Sequence, residues 1–127
     1  LLKSNNKHKN DLLVKTTEVV QTTGGKVLCG HEYLEREVFT GFASDLMSDV
    51  LTLSENDILL ITGLSNIQTI RTAEMADIST IVIVRNKKVT DEMINLAIEN
   101  KMILIACKHS MYKTSGLLFK GGLSPIY

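Results

Sequence analysis

Two unbroken apolar runs, residues 58–61 (ILLI) and 81–84 (IVIV), constrain this chain more than any other feature. A helix-like segment lies between them, and a Thr62-Gly63-Leu64-Ser65-Asn66 turn closes the first run. Neither run alternates with polar residues, as a strand with one wet face would. Strands apolar on both faces belong to parallel sheets covered by helices on both sides, and strand, loop, helix, strand is the unit that builds them. Residues 39–85 therefore set the class as α/β.

The remaining chain fits that class. Its 127 residues make one domain, able to bury roughly two-thirds of its unfolded surface without disulfides or metals. Leu13, Val14, Thr17, Val20 and Gln21 share a helical face, and Gly24-Gly25 ends that helix. Residues 26–30 and 37–41 read as short strands around a charged turn, HEYLERE. Apolar positions Leu46, Met47, Val50 and Leu51 predict a helix over 44–53. A strand at 57–62, a helix at 66–76 and a strand at 79–85 follow. Thr90 caps a helix over 90–101, with Asp91 and Glu92 at the positive end of its dipole. A strand at 102–107 and a helix from Ser110 to Gly121 complete the order. The expected architecture is a single layered domain over residues 13–127, with a mainly parallel sheet of about five strands flanked by helices. Residues 1–12, polar and rich in Asn and Lys, read as a flexible tail, a linker or a cloning remnant.

Composition narrows function. Fourteen cations balance fourteen carboxylates, whereas a duplex binder contacts on the order of 6–10 phosphates and carries a basic surplus. Trp is absent and only three Tyr and three Phe occur, so no base-stacking platform is expected. Nucleic acid is thereby disfavoured as a ligand. No apolar run approaches the ~20 residues of a membrane span, and no secretory signal is visible. Cys29 and Cys107 each end an apolar run and are expected as buried, reduced thiols in a cytoplasmic protein.

In open α/β sheets, ligands sit beyond the carboxyl ends of the strands, where helix N-termini offer free N–H groups. Three loops qualify. One holds Thr62, Gly63, Ser65 and Asn66; a second holds Arg85, Asn86, Lys87 and Lys88; a third holds Lys108, His109 and Ser110. Together Thr62, Gly63, Ser65, Asn66, Arg85, His109 and Ser110 would suit a small anion such as a phosphate. The plainer reading makes the Ser, Asn and Thr residues helix caps and the cations solvated surface. Asp45 and Asp49, spaced i, i+4, would share a helix face and could hold Mg²⁺ or do acid–base work; the plainer alternative is one helix cap and one exposed carboxylate. Cys29 and His31 have metal-ligand spacing but no second pair. Neither a G-x-x-x-x-G-K-[ST] loop nor G-x-G-x-x-G, H-E-x-x-H or G-x-S-x-G occurs. No catalytic residue, cofactor or metal is therefore assigned.

Four segments carry a resemblance. VVQTTGGKVLCG, VFTGFASDLMSDVL, ITGLSNIQTIRTAEMADISTIVIVRNKK and HSMYKTSGLLFKGGL occur in the order found in the DRTGG domain family. The chain resembles the small stand-alone members of that family from anaerobic bacteria, over residues 14–123. The name-giving Asp-Arg-Thr-Gly-Gly string is itself absent. The resemblance implies a fold similar to the N-terminal, non-catalytic domain of HPr serine kinase/phosphorylase and the corresponding domain of Mur ligases. It also implies a regulatory module of the kind found beside phosphotransacetylase catalytic domains and between CBS domains of regulated pyrophosphatases. Homodimerisation, ligand sensing and a protein partner in a redox or signalling pathway follow from the same resemblance, and no catalytic residue does.

Three functional readings result. The first is a non-catalytic, homodimeric regulatory module that senses a small anionic, phosphate-bearing ligand. The second is a protein-docking module using the last helix, whose Met111, Tyr112, Leu117, Leu118 and Phe119 otherwise serve core and dimer contacts. The third is a small metal-dependent enzyme using Asp45, Asp49 or His109.

Overall fold

A computed structural model describes residues 13–127, so the tail reading for residues 1–12 lies outside the described residues. The apolar runs become β5 (Ile58–Thr62) and β6 (Thr80–Ile83), paired in parallel at the centre of a six-stranded sheet. Around them stand β2 (Lys26–Cys29), β4 (Thr40–Ala43), β7 (Ile103–Ala106) and β8 (Ser124–Pro125). The strand order is β2-β7-β6-β5-β4-β8. Strands β4 to β8 run parallel, and β2 joins the edge antiparallel to β7. The sheet is thus mixed, with one strand more than the sequence predicts.

Alternation along the central strands builds two cores. Ile58, Leu60, Ile81, Ile83 and Leu104 point to one face, where they meet Met47, Val50, Ile70, Ala73, Met93 and Ala97. Leu59, Ile61, Val82, Ile103 and Ile105 point to the other, against Val19 and Leu118. The register aligns the rows: Leu60, Ile81 and Leu104 are neighbours across three strands, as are Ile61, Val82 and Ile105. The first face is covered by α2 (Met47–Val50), α3 (Ile67–Met75) and α4 (Asp91–Glu99), the second by α1 (Thr16–Thr23) and α5 (Met111–Lys120). Each fully buried Leu or Ile contributes roughly 1.5–3 kcal/mol, so these rows dominate folding.

Helix ends follow local chemistry. Gly24 takes a left-handed conformation (φ 65°) as the C-cap of α1, and its N–H donates to carbonyls of the last turn. Asn66 Oδ1 accepts from Thr69 N–H at 3.3 Å to cap α3, and Thr90 Oγ1 accepts from Met93 N–H at 3.3 Å to cap α4. Ser110 Oγ accepts from Lys113 N–H at 3.1 Å to cap α5.

Three expectations require correction. The helix over 44–53 contracts to α2, because Ser44 Oγ accepts from Leu46 N–H at 3.0 Å and holds the preceding residues in a turn. The strand over 37–41 splits into β3 (Glu37–Val38), paired antiparallel with β1 (Val14–Lys15), and β4 in the main sheet. Since β1 takes Val14 and Lys15, α1 starts at Thr16. Arg36 fastens this small ribbon: its guanidinium donates to Ser79 O and Lys101 O, both at 3.1 Å, and lies 4.7 Å over the Tyr33 ring.

Both cysteines are free and buried, as expected. Burial pushes the Cys29 thiol up from its ordinary pKa, which favours the neutral form. No helix among the described residues is long and apolar enough to cross a membrane.

Candidate functional site

Four loops meet beyond the carboxyl ends of β4, β5, β6 and β7, one more than the sequence singles out. The addition is Ser44-Asp45-Leu46. Asp45 Oδ1 accepts from Gly63 N–H at 2.6 Å and from Thr62 Oγ1 at 3.1 Å. Ser44 N–H in turn donates to Ile61 O at 3.0 Å. The chain thereby supplies its own anion to the first turn after β5, which is the place a small phosphate would otherwise approach.

The other loops are stitched across. Ser65 Oγ donates to Lys88 O at 2.5 Å, tying the β5–α3 loop to the β6–α4 loop. Arg85 N–H donates to His109 O at 2.8 Å and Asn86 N–H to Cys107 O at 3.0 Å, tying the β6–α4 loop to the β7–α5 loop. These bonds need Arg85 and Asn86 in the left-handed region, at φ 66° and 55°. For a residue with a Cβ that conformation costs roughly 1–2 kcal/mol, so the surrounding bonds must over-determine it.

The Arg85 backbone geometry aims its side chain over Gly63. A Cβ on Gly63 would stand 2.9 Å from both Nε and Nη2 of Arg85, so glycine is what lets the guanidinium lie there. The guanidinium is half exposed and makes no hydrogen bond among the described residues; its nearest charge is Asp45 Oδ2, at 3.9 Å from Nη2. A half-exposed pair at that distance contributes little to stability. The His109 imidazole, partly buried, likewise has no hydrogen-bond partner among the described residues.

The seven predicted ligand residues therefore divide. The Arg85 guanidinium lies over Gly63, beside Thr62, and the His109 backbone is bonded to that of Arg85. Thr62 and Gly63 already hold Asp45, Ser65 holds Lys88, and Asn66 and Ser110 cap helices. The pairing of Asp45 with Asp49 on one helix face does not occur, because α2 begins only at Met47 and Asp45 turns toward Gly63. Among the described residues no group of three or more His, Cys, Asp or Glu is placed to hold a metal ion. The sequence singles out Asp45 as a helix-face carboxylate, not as a member of the crevice. The signal for that place is the strand two residues before it, which runs to Ala43 rather than ending at Gly41.

The sequence that folds this way matches a known family. The model of the DRTGG domain matches residues 18–120. The chain belongs to the DRTGG domain family. Among solved structures, it is similar to the CBS and DRTGG domains of the regulatory region of Clostridium perfringens pyrophosphatase, complexed with the activator diadenosine tetraphosphate. The TM-score is 0.71 at 14% identity, over 90% of this chain and 49% of that one. That likeness is one of fold, and this DRTGG domain spans about half the length of the pyrophosphatase regulatory region. No curated protein matches the chain.

Proposed function

We propose that this DRTGG domain is a non-catalytic regulatory module that senses a small anionic, phosphate-bearing ligand at the strand ends. Arg85 carries the proposal. A guanidinium held in a strained backbone conformation, laid over a glycine and without a hydrogen bond among the described residues, is an organised donor with five N–H groups to offer. His109 adds a second free polar group across the Arg85–His109 backbone bond, and Lys87, Lys88 and Lys108 supply positive potential around it. Thr62, Gly63, Ser65, Asn66 and Ser110 form the walls. The pyrophosphatase relative was solved with a nucleotide activator, which supports nucleotides as the first ligands to try.

In this reading the module works as a cytoplasmic homodimer and passes ligand occupancy to a protein partner in a redox or signalling pathway. It needs no cofactor and turns nothing over.

The test is thermal unfolding with diadenosine tetraphosphate, ATP, ADP and pyrophosphate. Ligand at about 100 times its dissociation constant should stabilise the fold by ~2.7 kcal/mol. Arg85→Gly should keep the fold, since glycine accepts the left-handed conformation at no cost, and should lose that shift. Equal shifts in both proteins would remove Arg85 from the site, and chemical change of the nucleotide during incubation would overturn the non-catalytic reading. Sedimentation that shows a monomer at every concentration would overturn the homodimer.

A further inference from the structure

The outer side of α5 carries a groove that neither the fold nor the strand-end crevice uses. Its volume is about 650 Å³, between Tyr112, Gly116 and Phe119 of α5 on one side and Gly41, Ala43 and Pro125 on the other. Positions 112, 116 and 119 form one stripe of the helix. Tyr112 is 90% exposed and Phe119 67%, so two large aromatic side chains stand in water along it.

Gly116 lies between them. Among the described residues nothing comes within 4 Å of where its Cβ would be, so no contact among them requires a glycine there. Glycine nevertheless weakens a helix relative to alanine. What the missing side chain provides is an open notch between the two aromatic rings.

Charge gives the groove a preference. After Glu99 the chain has no Asp or Glu but four lysines, Lys101, Lys108, Lys113 and Lys120; of the fourteen cations, ten therefore face fourteen carboxylates in the first 99 residues. Lys113 and Lys120 line the groove, and no carboxylate among the described residues does. Seven residues separate them, about 10 Å along the helix axis. Carboxylates at i and i+7 of a second helix match that spacing. The neighbouring sheet edge is β8, which has two residues, one of them Pro125. Proline cannot donate to an added strand, so the edge does not favour strand addition.

We infer that this groove docks an acidic amphipathic helix of a partner protein. An apolar side chain of that helix enters the notch over Gly116, between Tyr112 and Phe119, and its carboxylates meet Lys113 and Lys120. This is helix-in-groove recognition, with aromatic anchors at the centre and charges at the rim that set specificity and association rate. The inference stands apart from ligand binding at Arg85.

The test pans displayed random peptides of about 18 residues, enough for five helical turns, against the full chain. Selected peptides should carry Asp or Glu at i and i+7 beside an apolar i, i+4 stripe. A fluorescent copy of the best peptide should lose about tenfold or more in affinity on Gly116→Leu, and again on the Lys113→Glu/Lys120→Glu double change, and should weaken with added salt. Gly116→Leu fills open space, and an unchanged or higher melting temperature will show that the fold is kept. Absence of enrichment over a Gly116→Leu bait, or selection of neutral or basic peptides, would overturn the inference. A concentration-dependent dimer that Gly116→Leu dissolves would also overturn it, by showing a second copy in the groove.

Discussion

The strand-end crevice and the α5 groove treat residue type in opposite ways. The crevice is rich in polar side chains, yet most are already engaged: Asp45 with Thr62 and Gly63, Ser65 with Lys88, Asn66 and Ser110 with helix ends. The groove is lined mostly by apolar side chains, yet Tyr112 and Phe119 remain in water. A polar loop is therefore not a binding site by virtue of its polarity, and an apolar helix residue is not core by virtue of its hydrophobicity. What matters is which groups are left without a hydrogen bond or a packed neighbour among the described residues. In the crevice that remainder centres on Arg85 and His109, and in the groove on two aromatics and a notch.

The largest expected effect separates two neighbours on α5. Leu118 is 3% exposed and packs with Val19 and Leu59, whereas Phe119 is 67% exposed. Leu118→Ala should cost about 2–5 kcal/mol. Phe119→Ala should stay within ~0.5 kcal/mol, as surface changes do. Urea unfolding of both variants measures this. Similar losses would make the groove wall part of the core and erase the contrast.

An intermediate effect is expected in the crevice. Asp45→Ala leaves Gly63 N–H and Thr62 Oγ1 without their shared acceptor, at a cost of about 1–2 kcal/mol given that Asp45 is half exposed. The same variant removes the carboxylate that competes for the Arg85 guanidinium, so anions should bind more tightly while the fold weakens. Titration calorimetry with pyrophosphate beside urea unfolding sees both signs. Weaker anion binding would show that Asp45 organises the site rather than occupying it.

The smallest effect is expected at Gly63. The three atoms nearest a Cβ there all belong to the far end of Arg85, so Gly63→Ala should change stability by less than about 0.5 kcal/mol while displacing the guanidinium. Loss of anion binding without loss of fold would sharpen the division between engaged and free groups. A large drop in melting temperature would instead mean that the guanidinium position supports the fold.

Much of this was legible beforehand, for local reasons. The runs at 58–61 and 81–84 became the central strands because only a doubly covered strand can bury both of its faces. Asn66, Thr90 and Ser110 became caps because a short side chain before a helix has an unpaired N–H within reach. The difficulties arose where pairing partners are distant in sequence. Residues 37–43 divide between two sheets because Val38 finds Val14 while Gly41 finds Leu59, and no local pattern encodes that choice. β8 is two residues long and exists because β4 offers it an edge.

The sequence by itself determined the α/β class, the helix caps and the family, since all of these rest on periodicity, short-range hydrogen bonding or the order of local segments. Tertiary structure alone decided that Asp45 would turn away from Asp49 to meet Gly63, that the Arg85 guanidinium would lie over Gly63 without a hydrogen bond among the described residues, and that Phe119 would face water while Leu118 does not. Those outcomes depend on which surfaces the sheet brings within about 4 Å of each other, the range over which packing and hydrogen bonds act, and chain order does not specify that distance.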